Sequence, residues 1–416
     1  MSKLSRRSLL AATATSALAL NSGLGHAAMG PDDKFDLLIK GGDVLDPSQS
    51  LRAKRDIGIR YGLVEAIEAD IPAARASRMI DASGKLVTPG LVDLHAHVFP
   101  YGSAIGIPAD ELIPHQCTTT VVSAGDAGAN NIAALRRFVV AQTRTRIHAF
   151  IHIANMGLSA FPVPELYNID FAQVDACAAA VAQNPDFVLG VKVRMSENVI
   201  ARNGLEPLKR GIMACERSGR PAKMMVHIGG VESGQLMSQI LDLLRPGDIL
   251  THAYSGAPNI AGAFTNIVQD GKILPAALEA KRRGVVFDVG HGGGSFDFTV
   301  CEAAIQQGCP PDVISSDIHV WSGNTPGMPY LPWVMSKFLT LGFTLEQVVA
   351  MATVAPMKSI DGASKVGSLK VGSPGDVAIM ELVNGPVAFL DTRNNTRNGQ
   401  VFLKPVQTII NGVPFG

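Results

Sequence analysis

Eight short apolar runs, separated by stretches of helical character, fill residues 91 to 319. They read "LVDLHAHV" (91–98), "TTTVVSAG" (118–125), "RIHAFIHIA" (146–154), "FVLGVKVRM" (187–195), "AKMMVHIG" (222–229), "DILTHAYS" (248–255), "GVVFDVGHG" (284–292) and "DVISSDIH" (312–319). Helix candidates such as "NIAALRRFVVAQT" (131–143) and "GLEPLKRGIMACERSG" (204–219) lie between them. Strand alternating with helix implies a parallel sheet. Eight such units imply an α/β chain closed into a TIM (β/α)8 barrel, with its site at the C-terminal ends of the strands. The rival is an open doubly wound sheet, but no G-x-G-x-x-G follows the first strand to favour it.

Composition agrees with a large, well-buried core. Of 416 residues 47% are hydrophobic and 17% charged, against about 25% charged in ordinary soluble chains. Lys+Arg and Asp+Glu balance at 36 each, and no basic stripe marks a nucleic-acid surface. The five cysteines form no C-x-x-C pair and are odd in number, so free buried thiols are expected. A small molecule is the expected partner, and the sequence leaves open whether the chain is a monomer or a homo-oligomer.

The two ends of the chain share a different texture. Residues 35–71 and 372–415 read as short strands broken by turn signals such as "KGGD" and "RYG". The expected division is a barrel over 89–364 and a small accessory β-sandwich built from 35–88 and 365–416. Ahead of both, "SRRSLLAATATSALAL" sets Arg6 and Arg7 before an apolar run, Leu9 to Leu20, that is too short to span a bilayer. Small residues follow at Gly25–Ala27. Residues 1–27 therefore read as a signal peptide of the twin-arginine type, with an ordinary secretory signal as the alternative. The twin-arginine export machinery would then be a partner, and the protein periplasmic or secreted.

Polar residues gather where the apolar runs stop. His95 and His97 close the first run, and alternate residues of a strand point the same way. Lys192 and Arg194 stand on the fourth, His227 on the fifth, His252 on the sixth, His291 on the seventh and Asp317 on the eighth. One such histidine would be an ordinary core residue; four of them, His95, His97, His227 and His252, in register with a lysine and an aspartate argue against a core reading. Nitrogen donors favour zinc over calcium or magnesium, and the number of donors suits two divalent ions. A protonated lysine would repel a cation. Carboxylated by CO2, Lys192 becomes an anionic carbamate able to bridge two ions; otherwise it pairs with Asp317 or a substrate anion. Asp317 would take the proton of a bridging hydroxide or water and deliver it to the leaving group.

These motifs resemble a known family. "LVDLHAHVFP", "GVKVR", "MVHIGG", "LTHAYSG" and "SSDIH", in that order, look like the binuclear amidohydrolase superfamily. The resemblance implies His95, His97 and Asp317 on one metal, His227 and His252 on the other, and carboxylated Lys192 between them. "HAHVFP", "GHGGGSF" (290–296) and "MSKFL" (335–339) are similar to a dihydroorotase-like group of deacetylases. True dihydroorotases carry an arginine where this chain has Phe99, which argues against pyrimidine ring opening. Mononuclear deaminases carry His-x-x-Glu after the fifth strand; here His227 is followed by Ile228, Gly229 and Gly230.

The expected activity is metal-dependent hydrolysis of an amide or ester, a deacylase or deacetylase acting on a small anionic molecule. Arg194 is the expected grip on a substrate carboxylate, and His291 a second substrate contact. A cyclic amidase or lactonase would use the same metals. A catalytically silent homologue serving as a binding or assembly protein is the reading of another class, and the intact Asp317 argues against it. Weaker expectations place His148 in the core, His152 near the site, Asp126 as a helix cap, and Tyr330 and Trp333 in a capping segment, 323–333.

Overall fold

The computed structural model describes residues 29–30, 32–256, 264–322, 330–359 and 365–415. The proposed signal, residues 1–27, lies outside the described residues, as does most of the segment 323–333.

Strands β1 (Leu37–Asp46), β2 (Leu51–Arg60), β3 (Leu63–Glu68), β4 (Met79–Asp81) and β5 (Leu86–Pro89) come from the front of the chain. Strand β6 (Leu91–Ala96) follows after one residue and opens the barrel. It is succeeded by β7 (Thr118–Gly128), β8 (Arg146–His152), β9 (Val188–Arg194), β10 (Lys223–His227) and β11 (Ile249–Thr251). A small three-stranded meander intervenes, β12 (Phe264–Thr265), β13 (Val268–Gln269) and β14 (Lys272–Ile273), before β15 (Val286–Phe287). The chain ends in β16 (Val377–Leu390), β17 (Thr396–Ile410) and β18 (Val413–Phe415).

Both ends of the chain pair into one eight-stranded sheet, in the order β18-β17-β16-β5-β1-β2-β3 with β4 beside β1. The join is β5, antiparallel to β16 and parallel to β1. Val64 on β3 and Ile409 on β17 have four strands between them, about 24 Å on a flat sheet. Yet both belong to one core cluster with Leu37, Ile57, Val87 and Val377. The sheet therefore folds over its own core, and the Val64 N–H reaches Ser373 O at 2.9 Å.

The barrel sheet is wholly parallel and runs β6-β7-β8-β9-β10-β11-β15. Its interior holds Val92 and Leu94 from β6, Val122 and Ala124 from β7, Phe150 from β8, Met225 from β10 and Ile249 from β11. The eighth run joins by single bridges instead of a ladder: Val313 pairs with Asp288 and Ile318 with Ala96. Two features shorten it. Ser316 spends its N–H and hydroxyl on the buried Asp93 carboxylate, and Asp317 turns into the left-handed region at φ 49°. The preceding runs also leave extended conformation early, at His252 (φ 63°), Gly290 (φ 49°) and Gly292 (φ 53°). The five cysteines are free and buried, as expected. Among the described residues no helix is long and apolar enough to cross a membrane.

Phe150 is 1% exposed inside the barrel. Replacing it with alanine should cost about 3–5 kcal/mol through lost burial and the cavity left behind. Chemical denaturation will show this as a lower midpoint with little change in slope; an unchanged midpoint would mean the interior is not packed as described.

Candidate metal centre and active site

The six expected ligands converge. His95 Nε2 and His97 Nε2 each lie 3.2 Å from Asp317 Oδ1. His252 Nε2 lies 4.0 Å from Asp317 Oδ2 and 2.9 Å from His227 Nδ1. Lys192 Nζ sits 3.3 Å from His95 Nε2 and donates to Ala124 O at 3.1 Å. Donor atoms of His95, His252 and Asp317 all fall within 4.8 Å of one another. Backbone bends make room for this. A Cβ at Gly292 would come within 2.4 Å of Asp317 Oδ2, and the residue's φ of 53° suits glycine.

The electrostatics prepare three of the four imidazoles for a cation; at His97 burial alone would lower the ring, but the Asp126 and Asp317 carboxylates outweigh it and raise it to about 9. Burial, together with the neighbouring Lys192 and histidines, holds His95 well below the ordinary imidazole range. Burial and His252 do the same for His227, and burial takes His252 down to about 4. Neutral imidazole is the form that binds metal. Only one hydrogen can lie between His227 Nδ1 and His252 Nε2; a cation satisfies both lone pairs. Burial also lowers the Lys192 amine to about 7, which brings the neutral, CO2-reactive form within reach. Burial alone would raise the Asp317 carboxyl, but the hydrogen bond from His97 and the surrounding histidines bring it to about 2. The residues present fit a pair of divalent ions.

Three of the histidines are oriented from behind. Asp126 Oδ1 meets His97 Nδ1 at 2.9 Å, and its Oδ2 accepts from the Val98 N–H and the Ser123 hydroxyl. Asp126 therefore orients His97, where a helix cap was expected. Gly290 O meets His252 Nδ1 at 2.6 Å. Thr251 Oγ1 meets His95 Nδ1 at 2.7 Å and donates to Asp288 Oδ2. Burial lifts the Asp288 carboxyl to about 7 against the pull of its two hydroxyl donors.

Four of the six expected ligands, His97, Lys192, His227 and Asp317, line a cavity of about 390 Å3, walled by Ile105, Leu158, Phe161, Trp321 and the glycine loop Gly293–Ser295. Arg194 also lines it. Its Nη1 is held by both oxygens of the buried Glu165, at 3.2 and 3.1 Å, and its guanidinium lies 5.6 Å from the Phe161 ring centre. Among the described residues nothing bonds its Nε or Nη2. His152 Nε2 is 3.2 Å from Glu165 Oε1, so His152 supports this network.

His291 departs from expectation. Its Nε2 meets Lys337 Nζ at 2.7 Å and its Nδ1 meets Gly292 O at 2.8 Å, while the ring stacks on Phe296. It is fully buried and does not line the cavity. The left-handed residues on either side, Gly290 and Gly292, break the strand alternation that would have aimed it inward. Tyr330 and Trp333 also face elsewhere, lining a groove with Phe402 of the terminal hairpin. Sequence reasoning missed Glu165, Phe161, Trp321 and Asp288, which lie on loops or beyond regular pairing; a lone acid in "VPELY" was the only trace of Glu165.

No family model matches the sequence. A deacetylase of Agrobacterium fabrum is 33% identical over 350 residues, 84% of this chain and 83% of that protein. Among solved structures, an adenine deaminase superposes with a TM-score of 0.82 at 30% identity, covering 92% of this chain and all of the other. A dihydroorotase gives 0.83 at 30%, covering 91% and 97%.

Glu165 generates a prediction about acid stability. Burial alone would raise its carboxyl; the contacts with His152 and the Arg194 cation outweigh that and hold it at about 2, below the ordinary 4.5. A depressed carboxyl stabilises the fold above its unfolded pKa, and that contribution fades as pH falls towards the folded value. Wild type should lose up to about 3 kcal/mol from this source between pH 4.5 and 2. Glu165→Gln should flatten that part of the stability curve, and equal slopes in the two proteins would refute the assignment.

Proposed function

The chain belongs to the amidohydrolase superfamily, and on that premise we propose that it is a binuclear, zinc-dependent deacylase of small acylated acids. The observation that carries the reading is the convergence of four imidazoles, Asp317 and a buried, charge-suppressed lysine, with His97, Lys192, His227 and Asp317 opening onto one small cavity. A mononuclear site has no use for Lys192. Zinc suits a set dominated by neutral imidazole nitrogen, and carboxylation of Lys192 would supply the anionic bridge that the set otherwise lacks.

The names of the relatives differ, and the geometry weighs among them. The acid that follows the fifth strand in mononuclear deaminases is missing from residues 228–230, which argues against a deaminase of that type. Ring opening of a dihydroorotate would use an arginine at position 99. Phe99 is buried, and its ring fills the space beside Gly102 away from the ligands. A deacetylase name therefore fits best.

Bound there, two divalent ions would acidify a shared water and polarise the scissile carbonyl. Asp317, unprotonated throughout the working pH range, accepts the proton released as oxygen attacks the carbonyl carbon. It hands that proton to the leaving nitrogen or oxygen as the acyl bond breaks. Arg194, held by Glu165, offers its remaining N–H groups to a substrate carboxylate. The apolar wall from Ile105 to Trp321 receives the rest of the molecule and excludes water.

Residues 1–27 support a further part of the proposal, that the chain is exported through the twin-arginine route to the periplasm or beyond. Changing Arg6 and Arg7 both to lysine should trap a reporter carrying this segment in the cytoplasm. Unimpaired export would point to the ordinary secretory route.

The enzymatic reading is tested with zinc-loaded protein on acetyl esters of hydroxy acids and on N-acetyl amino acids. Asp317→Asn should lower turnover by roughly 10³-fold, and retained activity would remove Asp317 from its role. Active wild type should carry two ions per chain, and one ion or none would overturn the binuclear centre.

A further inference from the structure

Behind His95, on the side away from the cavity, three groups link the first strand to the last. His95 Nδ1 lies 2.7 Å from Thr251 Oγ1. Thr251 Oγ1 donates to Asp288 Oδ2 at 2.7 Å. Ser315 Oγ donates to the same oxygen at 2.8 Å and accepts the Gly290 N–H at 3.0 Å. His95, Thr251, Asp288 and Ser315 are all fully buried. Asp288 Oδ1 has no hydrogen-bond partner among the described residues.

A proton count gives this arrangement a consequence. A threonine hydroxyl owns one hydrogen and can accept others. Asp288 Oδ2 already accepts the Ser315 hydroxyl, and any proton on Asp288 can sit on its unpartnered Oδ1; with the Thr251 hydrogen on the same Oδ2, Thr251 faces His95 as an acceptor and His95 Nδ1 is the donor. The lone pair of the ring then sits on Nε2, the nitrogen 3.2 Å from Asp317 Oδ1 and 3.3 Å from Lys192 Nζ. The opposite order, a carboxylic acid at Asp288 donating to Thr251 and Thr251 donating to Nδ1, would put hydrogen on Nε2. That would close Nε2 to a cation. His97 and His252 are keyed by direct contacts, to Asp126 and to a backbone carbonyl. His95 is keyed through an intermediary.

We propose that Asp288, acting through Thr251, is a positioning residue that fixes His95 as the Nδ1–H tautomer and so opens Nε2 to metal. The metal-affinity part of this proposal rests on the metal-site reading above; the tautomer part does not. The competing role is structural: Asp288 ties β11 and the eighth run together where the barrel closes. That role predicts lost stability with unchanged metal affinity and an unchanged tautomer.

The test begins with metal-stripped, full-length wild type labelled with 15N in its histidines, the His95 signals being identified by their loss in His95→Gln. The ring should carry its hydrogen on Nδ1, and a Nε2–H tautomer overturns the proposal. Zinc affinity is then measured by competition with a chromophoric chelator, alongside thermal unfolding of the stripped proteins. Thr251→Val should weaken zinc binding by 10- to 100-fold, the usual cost of losing a ligand's orienting partner, and should shift the His95 tautomer. Thr251→Ser should restore both. Asp288→Asn should weaken binding when Thr251 is present and add nothing to Thr251→Val. Wild-type affinity in Thr251→Val, or penalties that multiply in the double variant, would refute the relay. Failure of wild type to take up zinc would refute the metal site instead, with the tautomer of the stripped protein still scoring the relay.

Discussion

The N–H of Asp317 donates to the carbonyl of His95 at 2.7 Å. Two residues on, His97 N–H returns a bond to Ile318 O at 2.9 Å. These two contacts close the barrel, because the eighth run has almost no other backbone pairing with the first strand. They also bring His95 and His97 together with Asp317, more than 200 residues away in the chain. Barrel closure and assembly of the site are thus one event. Whatever displaces the eighth run removes Asp317 and the seam together.

Around that seam the dominant constraint is desolvation. Six polar side chains share a space that solvent scarcely reaches, and each has to be satisfied on its far side. The chain meets this with buried acids that face away from the cavity: Asp93 under Ser316, Asp126 behind His97, Asp288 behind Thr251, Glu165 behind Arg194. Burial without such partners costs several kcal/mol per charge. The same burial keeps three of the imidazoles neutral and suppresses the charge of Lys192, so the penalty that the fold has to offset is also what prepares the donors for a cation.

Legibility in the sequence followed local regularity. His95, His97, Lys192 and His227 stand on or just beyond paired strands, where period-two alternation holds, and their convergence could be read from spacing. Asp317 and His252 leave the strand in left-handed backbone but remain at the strand ends, so position alone found them. His291 was misread because the glycines at 290 and 292 reverse the chain there and turn its ring towards Lys337. Glu165 and Trp321 sit on loops, which carry no periodicity. Asp288 and Thr251 were invisible for another reason: their role exists only in a hydrogen-bond chain among three strands, which no spacing encodes.

The sequence by itself determined the alternation of strand and helix, and hence a closed parallel barrel. It also pointed to the pairing of the two chain ends and to the six polar side chains that converge. These follow from burial pattern and residue chemistry, both of which are local. Tertiary structure alone decided which acid stands behind which ligand, which face of His291 is buried, and how Arg194 is held at the cavity wall. Those outcomes depend on backbone bends at a few positive-φ residues and on contacts between loops, where a small change in direction selects a different neighbour.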